Sequence, residues 1–308
     1  MKESYHICFT SHDEVLFRSE EDHRMFVNLA ALQTFRNQIT LLADAEMSTH
    51  VHLNMISQAP IIFAAALRMS YTKWFNHRHD RKGRFGERGC YIQSVSGFYH
   101  QLTLLNYILR NGLHHGAVSV ALGYPYCSIH DMFSKDLGYY GLHPSTFSRT
   151  DISHILPRHA EFPDDFIMDE TGMFMRDSFM DIRLAEQYYQ TPRNFLYQMN
   201  RLSSEEWEAE QLKDNTGAPI TLQDIERVDR EGLAAFLRNE NGRGFNPHRL
   251  QDLDLCKLID TDYLPRFSAS SVYQLSELQV EKIHQELRFD RRLPEAQIRR
   301  CLAENYPR

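Results

Sequence analysis

The stretch Ile39-Thr40-Leu41-Leu42-Ala43-Asp44-Ala45-Glu46-Met47-Ser48-Thr49-His50-Val51-His52-Leu53-Asn54-Met55-Ile56 decides the fold. Residues 39–45 and 50–56 are β-prone runs, and the turn-prone residues 46–49 divide them, so the segment reads as two strands. Toward the N-terminus, Ser19 followed by Asp22 is a capping-box signal. Met25, Leu29, Leu32 and Phe35 then continue an apolar helical stripe to about residue 36. Ahead of that helix, residues 5–10 (Tyr-His-Ile-Cys-Phe-Thr) form a short β-prone run. Toward the C-terminus, Pro60 fits the first turn of a second helix, with Phe63, Leu67, Tyr71 and Trp74 on one face. A basic, glycine-containing loop over residues 78–89 leads to a strand at 90–95. A third helix begins near Gly97 and is expected to stop at Gly112, a residue suited to the left-handed position after a helix. The order β-α-β-β-α-β-α implies an α+β fold. Its antiparallel sheet is ferredoxin-like (RRM-like), with one extra helix.

Beyond this the chain changes in kind. Helical stretches are expected at about 203–212, 222–238, 276–289 and 293–305, separated by loops rich in Pro, Asp and Gly such as 143–171 and 239–248. The division predicted is residues 1–135 and a mainly α-helical region over 136–308. The 308 residues are 42% hydrophobic, which excludes a disordered tail, a collagen-like fibre and a disulfide miniprotein. No apolar run approaches the roughly 18 residues needed to span a bilayer, so no membrane partner is expected. Cys8, Cys90, Cys127, Cys256 and Cys301 are single and odd in number, which fits a reducing, cytoplasmic setting. The net charge of −7 argues against nucleic acid until it is split. Residues 1–135 carry 13 Lys and Arg against 11 Asp and Glu, leaving 21 against 30 for the remainder. The acidity belongs to the second region.

Two groups of residues could carry chemistry. In His50-Val51-His52, positions i and i+2 of a strand share a face, so the two imidazoles project together as half of a divalent-metal site. A solvated strand face is the other reading. On the third helix, Phe98, Leu102, Leu105 and Leu109 form the apolar stripe. Tyr107 lies away from it, on a polar face with His100, Thr103 and Asn111. Asn111 follows one turn on, and a Tyr hydroxyl beside an amide oxygen suits a nucleophile and a metal ligand. A partly exposed helix tyrosine is the plainer alternative. A basic stretch holds Arg68, Lys73, Arg78, Arg81, Lys82, Arg84 and Arg88 against Asp80 and Glu87, interleaved with Tyr71, Trp74, Phe75 and Phe85. Cations for phosphates with aromatics for bases suit a single-strand groove. A solvated helix face with Tyr71 and Trp74 in the core would give the same composition.

Taken together, His-hydrophobic-His followed by a helix with Tyr-x-x-x-Asn resembles the single-tyrosine HUH transposases, and most closely their REP-associated branch. The resemblance runs through most of residues 5–130. Met47-Ser48-Thr49-His50-Val51-His52-Leu53 stands where the family has Met-Pro-Asn-His-Val-His-Leu. Tyr71-Thr72-Lys73-Trp74-Phe75-Asn76 and Gly83-Arg84-Phe85-Gly86-Glu87-Arg88 are similar to its Tyr-Phe-Asn and Phe-Gln-Gly-Arg segments. Tyr107-Ile108-Leu109-Arg110-Asn111 resembles the nucleophile helix, and Tyr124-Pro125-Tyr126-Cys127-Ser128 resembles a Trp-Pro-Trp-Ser-Ser. The family's Asn-Pro-Val-Arg-Ala-Gly-Leu becomes Asn111-Gly112-Leu113-His114-His115-Gly116, which keeps the Asn and loses a Pro and an Arg.

The resemblance implies a DNA transposase. Tyr107 would attack a backbone phosphorus of single-stranded or hairpin DNA to give a 5′-phosphotyrosine. His50, His52 and Asn111 would hold Mg²⁺ or Mn²⁺. The cations from Arg68 to Arg88 would contact DNA, and monomer and dimer both stay open. The residues changed after Asn111 motivate a second reading, a domesticated, non-catalytic DNA-binding protein that retains the fold. An RNA-binding domain of the same fold would show aromatics on its central strands, where this chain has His50 and His52.

Overall fold

The computed structural model of the chain describes residues 3–11, 13–86, 90–134, 141–200 and 250–308. The helices expected at 203–212 and 222–238 and the loop at 239–248 lie outside the described residues. Strands β1 (Glu3–Thr10), β2 (Thr40–Glu46), β3 (His50–Ser57) and β4 (Tyr91–Val95) form one sheet in the order β2-β3-β1-β4, every pair antiparallel. Helices α1 (Glu20–Asn37) and α2 (Pro60–Arg78) connect them, and α3 (Phe98–Leu109) follows. The fold is α+β. The capping box read from sequence is formed: Ser19 accepts from the Asp22 N–H and Asp22 accepts from the Ser19 N–H.

Register decides which side chains meet. His6 lies opposite Asn54, Cys8 opposite His52 and Thr10 opposite His50. Directly opposed residues share a face, so these six project to one side while Ile7, Phe9, Val51 and Leu53 project to the other. Helices α1 and α2 cover the apolar side, where Phe9 meets Phe26 at 5.8 Å between centroids and Phe26 meets Tyr71 at 5.3 Å. Helix α3 covers the polar side. It does not end at Gly112: the chain continues as α4 (Asn111–His114), and the left-handed glycine that closes it is Gly116, at φ 65°. Gly112 answers a different need. A Cβ there would run into the ring of Tyr124.

The later region wraps this core. Of helices α5 (Arg149–Ile155), α6 (Arg176–Phe179), α7 (Ile182–Tyr189) and α8 (Pro192–Asn200), the first two pack on α1, α7 packs on β2 and α3, and α8 packs on α3 and α7. Of these, α5 falls within the 143–171 stretch expected to be loop, where Ser148 caps it. The Asn28 amide donates to the Ile155 and Gly172 carbonyls, and the Asp181 N–H donates to the Leu41 carbonyl. Arg176 reaches Asp44 at 2.8 Å and Glu46 at 2.8 Å. Burial pushes the Asp44 and Asp131 carboxyls up to about 7, and raises Glu46 as well. One guanidinium serving the buried Asp44 and Glu46 and the partly buried Asp131 leaves negative charge that a proton must relieve.

Residues 250–308 carry α9 (Asp252–Leu258), α10 (Glu277–Phe289) and α11 (Glu295–Leu302). Arg18 fixes them by donating to the Cys301 carbonyl at 2.7 Å and to Asp260 at 2.8 Å, while Tyr273 donates to Glu14 at 2.9 Å. The five cysteines form no disulfide with one another. No helix among the described residues is long and apolar enough to cross a membrane.

Candidate active site

The site is built where β3 faces α3 and α4. Alternation on β3 turns Val51 and Leu53 to the core and both His50 and His52 toward the helix, their rings 4.9 Å apart. From the helix, Tyr107, Asn111 and His115 follow at intervals of four residues and so share one face. The Tyr107 ring meets His52 at 5.1 Å and the His115 ring meets His50 at 5.1 Å. Asn111 falls midway between them in that series. Its amide is fully buried, and neither of its polar atoms has a hydrogen-bond partner. Leaving such a group unsatisfied is costly.

Sequence reading put Tyr107, His100, Thr103 and Asn111 on a polar helix face. All four are buried, with Tyr107 only 3% exposed. The helix is buried on nearly every side because α7 and α8 close over it: Tyr189 donates to Asn106 at 3.1 Å, and Asn106 donates to Gln198 at 3.3 Å. Phe98, expected in the apolar stripe, is the exposed exception at 42%.

Two further histidines join the cluster. His6 on β1 stacks on His52 at 5.1 Å between centroids, with His6 Nε2 3.0 Å from His52 Nδ1. His115, just past the end of α4, is packed on His50. The signal for His115 was present, since it extends the series 107, 111, 115. None existed for His6, whose place follows from strand register. Thr49 Oγ1 lies 3.3 Å from His50 Nδ1, so each histidine of the pair has a second residue orienting its ring through Nδ1. No group of three or more His, Cys, Asp or Glu side chains placed to hold a metal occurs among the described residues; the expected set is two histidines and an amide.

No family model and no curated protein matches the chain. A solved structure does. It is a REP-associated tyrosine transposase bound to a REP hairpin, aligned over 53% of this chain and 93% of that one, with 13% identity and a TM-score of 0.37.

The basic stretch divides when placed in three dimensions. Arg68 is buried and donates to the Phe85 carbonyl. Arg81 is buried too, paired with Glu14 and lying over the Phe85 ring at 4.2 Å. Arg78 is exposed and pairs with Glu21 and Asp22. Lys73, Lys82 and Arg84 are exposed, and Arg88 lies outside the described residues. Helix α2 sits on the opposite side of the sheet from Tyr107, so its cations and the histidine cluster do not share a surface. Cys90 and Cys127 belong to the packing, with burial raising both thiols.

Proposed function

We propose that the chain is a DNA strand transferase of the single-tyrosine HUH type, with Tyr107 as nucleophile and single-stranded or hairpin DNA as substrate. The observation that carries this reading is the pairing of Tyr107 with His52 and His115 with His50 around the buried, unsatisfied amide of Asn111. The sheet order β2-β3-β1-β4 is the one a ferredoxin-like domain would have, and it supports the same assignment.

In the reaction, Tyr107 Oη attacks phosphorus. The Oη–P bond forms as the P–O3′ bond breaks, the 5′-phosphate stays on Tyr107, and the phenolic proton ends on the departing 3′ oxygen. Because the phosphodiester energy is kept in the phosphotyrosine, a 3′-hydroxyl can reverse the step and rejoin strands. A phenol of pKa about 10 is a weak nucleophile at neutral pH. His50, His52 and Asn111 would hold Mg²⁺ or Mn²⁺, which when bound supplies Lewis-acid polarisation and charge stabilisation at the phosphate. With Nδ1 of His52 engaged by His6, and that of His50 beside Thr49, Nε2 is the nitrogen each ring would offer.

The test is incubation of the full chain with hairpin-forming single strands and Mn²⁺ or Mg²⁺. Denaturing gels are expected to show a covalent protein–DNA adduct that chelator and Tyr107→Phe each abolish. No adduct on any such strand, or an undiminished adduct with Tyr107→Phe, overturns the assignment. The near-complete burial of Tyr107 favours a second reading, the domesticated DNA-binding protein. Tight hairpin binding that ignores both chelator and His50→Ala would select it.

A further inference from the structure

Where α1 runs into β2, a groove of about 1090 Å³ opens between the end of α1 and helices α6 and α7. Thr40 in its lining pairs with Ile56, at the far end of β3 from His50 and about 20 Å along the strand. Four aromatic rings line the groove. Phe166 and Phe179 lie 6.4 Å apart between centroids and are nearly buried, and Phe133 is half-buried against Phe195. Phe35 is left 44% exposed. Phe133 holds a left-handed backbone at φ 59°, which a bulky residue rarely adopts, and its N–H donates to Glu186.

The same lining is acidic. It carries the carboxyl groups of Asp131, Glu161, Asp177, Asp181 and Glu186 against the guanidiniums of Arg36 and Arg183. Part of this acceptor capacity serves the fold: Asp181 accepts the Leu184 N–H as the cap of α7, and Glu186 accepts the Phe133 N–H. A carboxylate offers about four lone-pair sites, so both residues can accept from a ligand as well. Burial pushes the Asp131 carboxyl up to about 7, and Arg176, which faces it, is already shared with Asp44 and Glu46. Negative charge beside aromatic rings disfavours a phosphate backbone. It suits guanidinium groups, which lie over aromatic faces and donate in pairs to carboxylates. The volume exceeds the roughly 300–1,000 Å³ of sites for small molecules, so a stretch of polypeptide fits better than a single metabolite.

We propose that this groove docks a basic segment of a partner protein, one in which arginines alternate with apolar side chains. The arginines would meet Phe35 and the exposed carboxylates of Glu161 and Asp181, and the apolar side chains would rest on the phenylalanine lining. The groove shares no residue with the histidine face, so the proposal stands apart from the strand-transferase reading. It gives the chain a protein-facing side, built largely from the acidic region that follows residue 135.

The experiment follows, by fluorescence anisotropy, binding of the full chain to a labelled peptide of alternating arginine and leucine, and to the same peptide with citrulline for arginine. The arginine peptide is expected to bind, and the citrulline peptide to bind about 10-fold or more weakly, because several ion pairs are removed at once. Phe35→Ser combined with Glu161→Gln changes two exposed positions. It should weaken the arginine peptide about 3- to 30-fold, the combined worth of one surface cation–π contact and one surface ion pair. Glu281→Gln, an exposed carboxylate of α10 outside the groove, should leave binding unchanged, which separates the groove from general attraction to an acidic chain. No binding of the arginine peptide, equal binding of both peptides, or equal loss with Glu281→Gln overturns the proposal. So does self-association of the chain that the double variant abolishes, since a second copy would then be the occupant. Photo-cross-linking from a photoleucine in the peptide decides the place on the wild-type chain. Adducts at the Phe133, Glu161 or Phe179 peptides support the groove, and adducts only elsewhere refute it. Binding is measured without DNA or metal, so failure of this proposal and failure of the strand-transferase reading are separate results.

Discussion

The two faces of the sheet are made by alternate residues of the same strands, yet they differ in kind. Toward α1 and α2, Ile7, Phe9, Val51, Leu53 and Met55 bury against Phe26 and Tyr71, and their burial drives folding. Toward α3, His6, His50, His52 and Asn54 are buried just as completely against Tyr107, Gln101 and Asn111. Polar side chains taken out of water contribute little net stability even when hydrogen-bonded and cost stability when not. One face drives the folding of the chain, and the other is buried at a cost to its stability. The apolar face has one exception, at the edge: Asp44 and Glu46 of β2 point to the core side and are covered by Arg176.

That exception gives the largest expected effect. Arg176→Ala leaves the buried Asp44 and Glu46 without their cation and should cost about 3–5 kcal/mol in denaturant unfolding. The same cluster makes stability depend on pH. Asp44 and Asp131, raised to about 7 in the folded chain, titrate at about 3.9 when unfolded. The folded chain therefore holds more protons between pH about 4 and 7, and stability falls as pH rises through that range. His23, lowered to about 3, acts in the opposite direction below about pH 6.5. The informative measurement is thus the difference between Asp44→Asn and wild type, which should show the variant losing less stability up to about pH 7.

Next comes a direct contrast between neighbours on β3. Leu53→Ala should cost about 2–5 kcal/mol. On the other face, His6→Leu or His52→Leu alone should cost about 1–3 kcal/mol, because each strands its partner's nitrogen. The double variant should regain most of that loss, since removing both partners of a buried hydrogen bond is nearly neutral. It should also abolish the adduct. A double variant as unstable as the sum of the singles would mean that the polar face holds the fold together after all.

The smallest effects separate the cations. Lys73→Ala, Lys82→Ala and Arg84→Ala should leave unfolding unchanged. Each should lower the salt slope of DNA binding by about 1 wherever the deleted cation had neutralised a phosphate. Arg68→Ala and Arg81→Ala should show in stability instead, since both side chains are buried against protein groups.

Much of this could be read locally. The i, i+2 spacing of His50 and His52 and the i, i+4 spacing of Tyr107 and Asn111 are properties of a strand and a helix wherever those elements go. The element order and the Ser19 cap were equally local. His6 was out of reach because it meets His52 only through β1–β3 register, across 46 residues of chain. Arg68 and Arg81 look like free cations in sequence, since a charge does not announce whether a carbonyl or a carboxylate will be folded against it.

The sequence by itself determined which residues share a face, because strand and helix periods are set by backbone geometry. Only the tertiary structure decided what each face meets: histidine with tyrosine on one side, phenylalanine with tyrosine on the other, and a cavity beside His50 closed by residues more than 200 positions away. The physical reason is that burial and pairing arise between segments far apart in the chain, and no local pattern encodes them.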